Sequence, residues 1–166
     1  MTTLVERGQM PHVLLVEDNH GDATLTRLAF KRSGLQGSIT VAETGEDGLS
    51  ILRREGDHAG ARHPDLILLD LNLPHMHGLT CLRQIKGDPQ TVGIPVIVLT
   101  SSCAEAEVKA SYAGQASGFI TKPFSLEDYE DVVSNIAAYW FKLVQTPALG
   151  DTNDNMPVPR SATSGG

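Results

Sequence analysis

The run Asp65-Leu66-Ile67-Leu68-Leu69-Asp70-Leu71-Asn72-Leu73-Pro74 constrains this chain more than any other stretch. Its apolar residues do not alternate with polar ones, as expected of a parallel strand covered on both faces. A carboxylate inside such a strand would be costly to bury. Asp70 is therefore expected at the strand's carboxyl end, facing a crevice, which is where open parallel α/β sheets bind ligands. A lone Asp-x-Asn would serve equally well as a turn or a helix cap, so the decision falls to the rest of the chain.

The rest repeats the pattern. His12-Val13-Leu14-Leu15-Val16 is another buried run and ends on Glu17-Asp18. Asn19 to Asp22 turn into a helix whose apolar stripe is predicted as Leu25, Leu28 and Ala29, with Arg27, Lys31 and Arg32 toward water and Ser33-Gly34 at its end. Ser38 to Ala42 reads as a shorter strand, and Thr44 with Asp47 has the spacing of a capping box before a helix with Leu49 and Leu52 inward. Glu55 to Pro64 is predicted as a loop, as is Asn72 to Gly78, where His75 and His77 are read as solvated for want of a third ligand. A helix with Leu79, Leu82 and Ile85 inward stops at Gly87-Asp88-Pro89.

Ile94 to Leu99 is a fourth strand ending on Thr100-Ser101-Ser102, and Ser102 with Glu105 suggests another capping box for a helix running to about Gly114. Gly118 to Thr121 is a short fifth strand closed by Lys122-Pro123. Ser125 with Asp128 caps the last helix, whose stripe is predicted as Leu126, Tyr129, Val133, Ile136, Trp140 and Leu143. Strands alternating with helices imply a doubly wound parallel sheet with right-handed crossovers, of the flavodoxin-like order 2-1-3-4-5. That order sets the first and third strands side by side.

Length and charge bound the rest. A chain of 166 residues suits one domain, predicted over 11–145, with an N-terminal extension over 1–10 and a disordered tail over 146–166, where Asp, Asn, Pro, Ser and Gly replace large apolar residues. A net charge of −7 argues against nucleic acid and anionic membranes as partners. No apolar run reaches the ~18–20 residues of a membrane span. Met1 to Pro11 lack the layout of a signal peptide. Cys81 and Cys103 are read as reduced thiols, which places the protein in the cytoplasm.

In the predicted sheet order, Glu17 and Asp18, Asp70, Thr100 and Lys122 all end at one crevice. Three carboxylates gathered there repel and would have raised pKa values unless a cation joins them. A hard divalent ion with oxygen ligands answers that need. Mg²⁺ takes one or two carboxylates, keeps waters and finishes its shell on a phosphate, and the backbone carbonyl of Asn72 could reach it. An aspartate held this way can attack phosphorus. Lys122 and the Thr100 hydroxyl could then neutralise the phosphoryl oxygens. Taken singly, each feature also fits a solvated turn, a helix start or a surface lysine. Phe119 and Trp140 are read as core or interface.

These residues resemble the receiver domain of two-component response regulators, over about residues 11–145. The resemblance rests on Leu15-Val16-Glu17-Asp18-Asn19, Leu69-Asp70-Leu71-Asn72-Leu73-Pro74 with Gly78, Val98-Leu99-Thr100-Ser101 and Lys122-Pro123. It implies that Asp70 is the phosphoacceptor and that Glu17, Asp18, Asp70 and the Asn72 carbonyl hold Mg²⁺. It further implies that Thr100 is the switch hydroxyl, that Lys122 is the partner lysine, and that the Lys122–Pro123 bond is cis. Phe119 takes the place of the switch aromatic, where many receivers carry Tyr. Asp22 and the ending Tyr139-Trp140-Phe141 resemble the single-domain regulators associated with phytochrome-type histidine kinases.

The implied donor is the phosphohistidine of a sensor histidine kinase, with a bacteriophytochrome among the candidates, or of a phosphotransfer protein, and the resemblance implies slow self-dephosphorylation. No DNA-binding pattern follows residue 145, so the expected output is protein contact. The fourth helix, fifth strand and fifth helix would form the output or homodimer face, with Trp140 or Phe141 as anchors if exposed. Three rivals stand beside this. A phosphatase with an aspartyl intermediate wants a second acid where Asn72 stands. A flavin carrier wants a Ser/Thr/Gly-rich loop where Glu17 and Asp18 stand. A phosphorylation-independent pseudo-receiver would have no use for the intact set of acids, Thr and Lys.

Overall fold

The computed structural model describes residues 10–143. Most of the N-terminal extension, the predicted tail and the side chain of Leu143 lie outside the described residues. The elements are β1 His12–Val16, α1 His20–Arg32, β2 Ser38–Ala42, α2 Gly45–Leu52, β3 Leu66–Leu69, α3 Gly78–Gly87, β4 Val96–Thr100, α4 Glu105–Ala113, β5 Gly118–Thr121 and α5 Leu126–Ala137. A 3₁₀ turn over Gly56–His58 interrupts the predicted loop, and a π-helical turn over Ala138–Leu143 continues α5. The five strands form one parallel sheet in the order β2-β1-β3-β4-β5.

The unbroken apolar runs become the central strands because both of their faces are covered. Leu14, Val16, Ile67, Leu69, Val96 and Val98 point into one layer beneath α2 and α3, with Leu49, Leu52, Leu82 and Ile85. Val13, Leu15, Leu66, Leu68 and Ile97 point into the other, against Ala29, Phe30, Val133 and Ile136 of α1 and α5. The period of two within each strand sorts neighbours to opposite layers. Each fully buried Leu, Ile or Val contributes about 1.5–3 kcal/mol. The edge strands β2 and β5 are only half-covered.

Two predicted caps form: Thr44 Oγ1 accepts from the Asp47 N–H at 3.0 Å, and Ser125 Oγ accepts from the Asp128 N–H at 3.1 Å. The third does not. Helix α4 begins after Ala104 with no side-chain cap, because the Ser102 hydroxyl donates to Glu107. The buried face of α1 is Ala23, Thr26, Ala29 and Phe30, with Leu25 and Leu28 only half-buried. Small side chains let α1 lie close against the sheet, and the larger leucines are turned to its flanks.

The last helix also departs from its predicted stripe. Tyr129, Val133 and Ile136 are buried as expected, but Phe141 rather than Trp140 continues the buried face. A π turn advances more residues per turn than an α turn, so the face is delayed by one position. Phe141 meets Phe30 edge-on with ring centroids 6.5 Å apart, and Trp140 remains half-buried. Phe141 is therefore core and not a surface anchor. The Lys122–Pro123 bond is trans, against the implied cis form, since no described peptide bond is cis. Among the described residues, no helix is long and apolar enough to cross a membrane.

Gly78 fixes how α3 meets the end of β3. A Cβ there would stand 2.3 Å from the Asp70 carbonyl oxygen and 2.5 Å from Leu71 Cα, both of them backbone. Neither can move without moving Asp70. Gly78→Ala is expected to destabilise by roughly 3 kcal/mol or more. Gly93→Ala, with nothing near the added Cβ, should stay within about 0.5 kcal/mol. Urea unfolding of the two variants checks this, and equal losses would refute the close approach.

Candidate functional site

The carboxyl ends of β1, β3, β4 and β5 converge because parallel strands all point the same way. Strand β1 pairs with β3 so that Val16 lies beside Leu69, and the residues that follow, Glu17 and Asp70, emerge together. Strand β4 pairs with β5 so that Thr100 lies beside Thr121, one residue before Lys122. The Lys122 N–H donates to the Thr100 carbonyl at 2.7 Å, which sets the direction in which the lysine leaves the sheet.

The side chains meet at the Lys122 ammonium. Nζ lies 2.7 Å from Asp70 Oδ2, 2.5 Å from Glu17 Oε2 and 2.9 Å from Asp22 Oδ2. Glu17, Asp70, Thr100 and Lys122 are all buried, at 3%, 4%, 0% and 9% exposure. Burial at this level requires pairing. The second oxygen of Asp70 accepts the Asn72 N–H at 3.1 Å, and Glu17 Oε1 accepts the Asn19 N–H at 3.1 Å. Thr100 Oγ1 accepts from the Ser102 N–H at 3.4 Å.

The charges are unbalanced, and the two central acids respond differently. Burial pushes Glu17 up to about 7; the hydrogen bond from Lys122 opposes this and the charge of Asp70 adds to it. Burial also acts to raise Asp70, but hydrogen bonds from Lys122 and the Asn72 N–H, with the Lys122 charge and the Thr100 side chain, outweigh it and hold Asp70 below its usual range. Burial lowers Lys122, and its bonds to Asp70, Glu17 and Asp22 more than reverse that. Asp70 is thus held ionised, with one oxygen on the lysine and the other on a backbone N–H.

Glu17, Asp18 and Asp70 each offer a carboxylate oxygen, and these lie within 4.8 Å of one another. Asp18 is exposed, so the group opens to water on one side. An all-oxygen, anionic donor set open on one side suits a hard divalent cation that keeps part of its water. The structure therefore brings together Glu17, Asp18, Asp70, Thr100 and Lys122. Asn72 is exposed beside them, and it is its N–H that contacts Asp70. Phe119, opposite Val98 in the sheet, is half-buried against the α2–α3 layer.

Sequence reasoning missed Asp22 as a partner of Lys122. The signal was its position three residues beyond the helix cap Asn19, whose side chain accepts the Asp22 N–H at 2.9 Å. A first-turn residue of α1 is necessarily at the crevice end. His77 is not merely solvated: its Nδ1 accepts the Leu79 N–H at 3.2 Å to cap α3, and its Nε2 lies 3.5 Å from Glu107.

With this geometry in place, comparison with known proteins finds a match to the response regulator receiver domain over residues 13–134. Response regulator Rcp1 of Synechocystis sp. is 36% identical over 136 residues, 82% of this chain and 92% of that protein. A probable methanogenesis regulatory protein, FilR2 of Methanothrix harundinacea, is 38% identical over 136 residues, 81% of this chain and 86% of that one. Among solved structures, the phosphorylated cyanobacterial phytochrome response regulator RcpA superposes with a TM-score of 0.80 at 36% identity, covering 83% of this chain and 99% of that one. The Mn²⁺-bound form of Rcp1 gives a TM-score of 0.77 at 36% identity, over 83% and 99%.

The imbalance of charge has a consequence for stability in the presence of a chelator. Glu17 titrates near 7 in the folded chain, against an unfolded value of 4.5. A raised carboxylate contributes stability that is complete below 4.5 and lost as pH rises through about 7. Glu17→Gln should therefore stabilise the chelated protein at pH 8 by on the order of 1–2 kcal/mol, once solvent screening is allowed for, and by almost nothing at pH 4.5. Unfolding curves of both proteins across this range check the sign, and a gain that does not change with pH would refute it.

Proposed function

This chain belongs to the response regulator receiver family, and we propose that it accepts a phosphoryl group on Asp70 from the phosphohistidine of a sensor histidine kinase or phosphotransfer protein. The observation that carries this is Asp70 itself: buried, ionised, and paired with Lys122 at the end of a central strand. An Asp70 oxygen attacks phosphorus. The P–O bond forms as the P–N bond breaks, and the imidazole leaves with the electron pair. Similarity to Rcp1 and to phytochrome response regulators supports a kinase of the phytochrome class as the donor.

The chain's own residues position and neutralise. Glu17, Asp18 and Asp70, with the Asn72 carbonyl, would hold Mg²⁺, which supplies positive charge to the phosphoryl oxygens. Lys122 turns its ammonium toward the new group, which adds about −1.5 to −2 charge. The Thr100 hydroxyl, fully buried one strand over, donates to it in turn. As Thr100 moves, Phe119 on the neighbouring strand repacks, and the α4–β5–α5 face shifts population.

A groove on the β5–α5 part of that face supports its use as a contact surface. Ile97, Ile120, Val132, Ile136, Tyr139 and Trp140 line a groove of about 330 Å³ between β5 and α5. Through it the chain signals to a protein partner, a second copy of itself included. Turnover is limited to slow loss of the phosphoryl group to water.

Asp70→Asn should gain no label from radioactive acetyl phosphate with Mg²⁺, whereas the unaltered chain gains up to one equivalent and loses that capacity in chelator. Label on the Asn variant would overturn the assignment.

A further inference from the structure

Helix α4 opens with two acids in different surroundings. The Glu105 side chain is 82% exposed and pairs with Lys109 one turn on, at 2.9 Å. The Glu107 side chain is only 24% exposed and stands between the loops that follow β3 and β4. Its Oε2 accepts the Ser102 hydroxyl, and its Oε1 lies 3.5 Å from His77 Nε2. His77 Nδ1 accepts the Leu79 N–H at 3.2 Å, so the neutral ring carries its proton on Nε2, toward Glu107. The Ser102 oxygen in turn accepts the Ala104 N–H at 3.5 Å. Ser102 is thus held from two directions, and its bond to a carboxylate is the stronger kind.

Ser102 has a second role through its main chain. Its N–H donates to Thr100 Oγ1 at 3.4 Å, so one residue joins Glu107 to the buried hydroxyl. A hydroxyl is one donor and two acceptor sites. With an N–H on its oxygen, Thr100 cannot aim its own proton along that line, and the proton is left for an acceptor elsewhere. The β-branched side chain has few rotamers to choose from, which narrows the direction further. We propose that Glu107 is a positioning residue for Thr100. By holding Ser102 it keeps the Ser102 N–H on the Thr100 oxygen and leaves the Thr100 proton to a phosphoryl oxygen on Asp70. This rests on the phosphoacceptor reading and adds a residue to it. Glu107 acts through Ser102 alone, so cutting either link has the same effect.

The test uses the full chain with beryllofluoride and Mg²⁺ as the phosphoryl mimic, read by ¹⁹F NMR titration, together with the Ser102 amide proton resonance. Glu107→Ala should weaken beryllofluoride binding about three- to tenfold, the worth of one hydrogen bond. Ser102→Ala should do the same, and the double variant should bind no worse than either single one. Glu107→Gln, whose carbonyl still accepts the Ser102 hydroxyl, should stay within about twofold of the unaltered chain. Glu105→Ala should leave binding unchanged, which separates positioning from the loss of an acid at a helix start. In Glu107→Ala the Ser102 amide proton should move upfield as its bond to Thr100 lengthens. Ser102→Ala cuts the same link without removing a charge, so it decides the matter should Glu107→Ala fail to fold. Alanine variants that bind as the unaltered chain does would overturn this inference alone. So would losses that add in the double variant, an equal loss in Glu107→Gln or Glu105→Ala, or a Ser102 amide resonance that stays in place. Failure of the unaltered chain to bind beryllofluoride would overturn the phosphoacceptor reading as well.

Discussion

One ammonium group holds the working end of this molecule together. Lys122 reaches from the end of an edge strand to acids on β1, α1 and β3. Without it, buried carboxylates would face one another across a few ångströms, and the pairing of β1 with β3 would work against itself. With it, side chains more than fifty residues apart in the chain share one charge centre. The pairing is also incomplete. One cation serves several acids, so the site retains negative charge that a further cation, or a proton on Glu17, offsets.

The rest of the fold supplies the platform on which that centre is held. The two apolar layers fix the central strands, and the strands fix where the acids emerge. Removing the shared lysine would leave buried acids without their cation, a loss that costs about 3–5 kcal/mol, and this gives Lys122 its hold on the neighbouring loops. The loops after β3 and β4 are joined in turn by Ser102, Glu107 and His77, so the Thr100 segment and the start of α3 share a polar bridge.

Much of this was legible in the residues. Unbroken apolar runs marked the central strands, and the polar residue ending each run marked the crevice. The caps at Thr44 and Ser125 were readable because their partners are local. What escaped reading depended on neighbours distant in sequence. Ser102 has the spacing of a cap, yet Glu107 claims its hydroxyl. Leu25 and Leu28 are the more apolar residues of α1, yet the smaller Ala23, Thr26 and Ala29 face inward because close approach favours low volume. Periodicity chose Trp140, and one π turn handed the core to Phe141. Asp22 passed as a helix-start acid, since only the assembled sheet brings it to the lysine.

The missing side chain at Gly78 has a mechanical consequence. Peptide rests directly on peptide where α3 begins, with no side chain between the helix and the bond that carries Asp70. A side chain can rotate and absorb a small push, but main chain against main chain cannot. The junction is a hard stop rather than a cushion, and any lift of the β3 terminus arrives at α3 undamped.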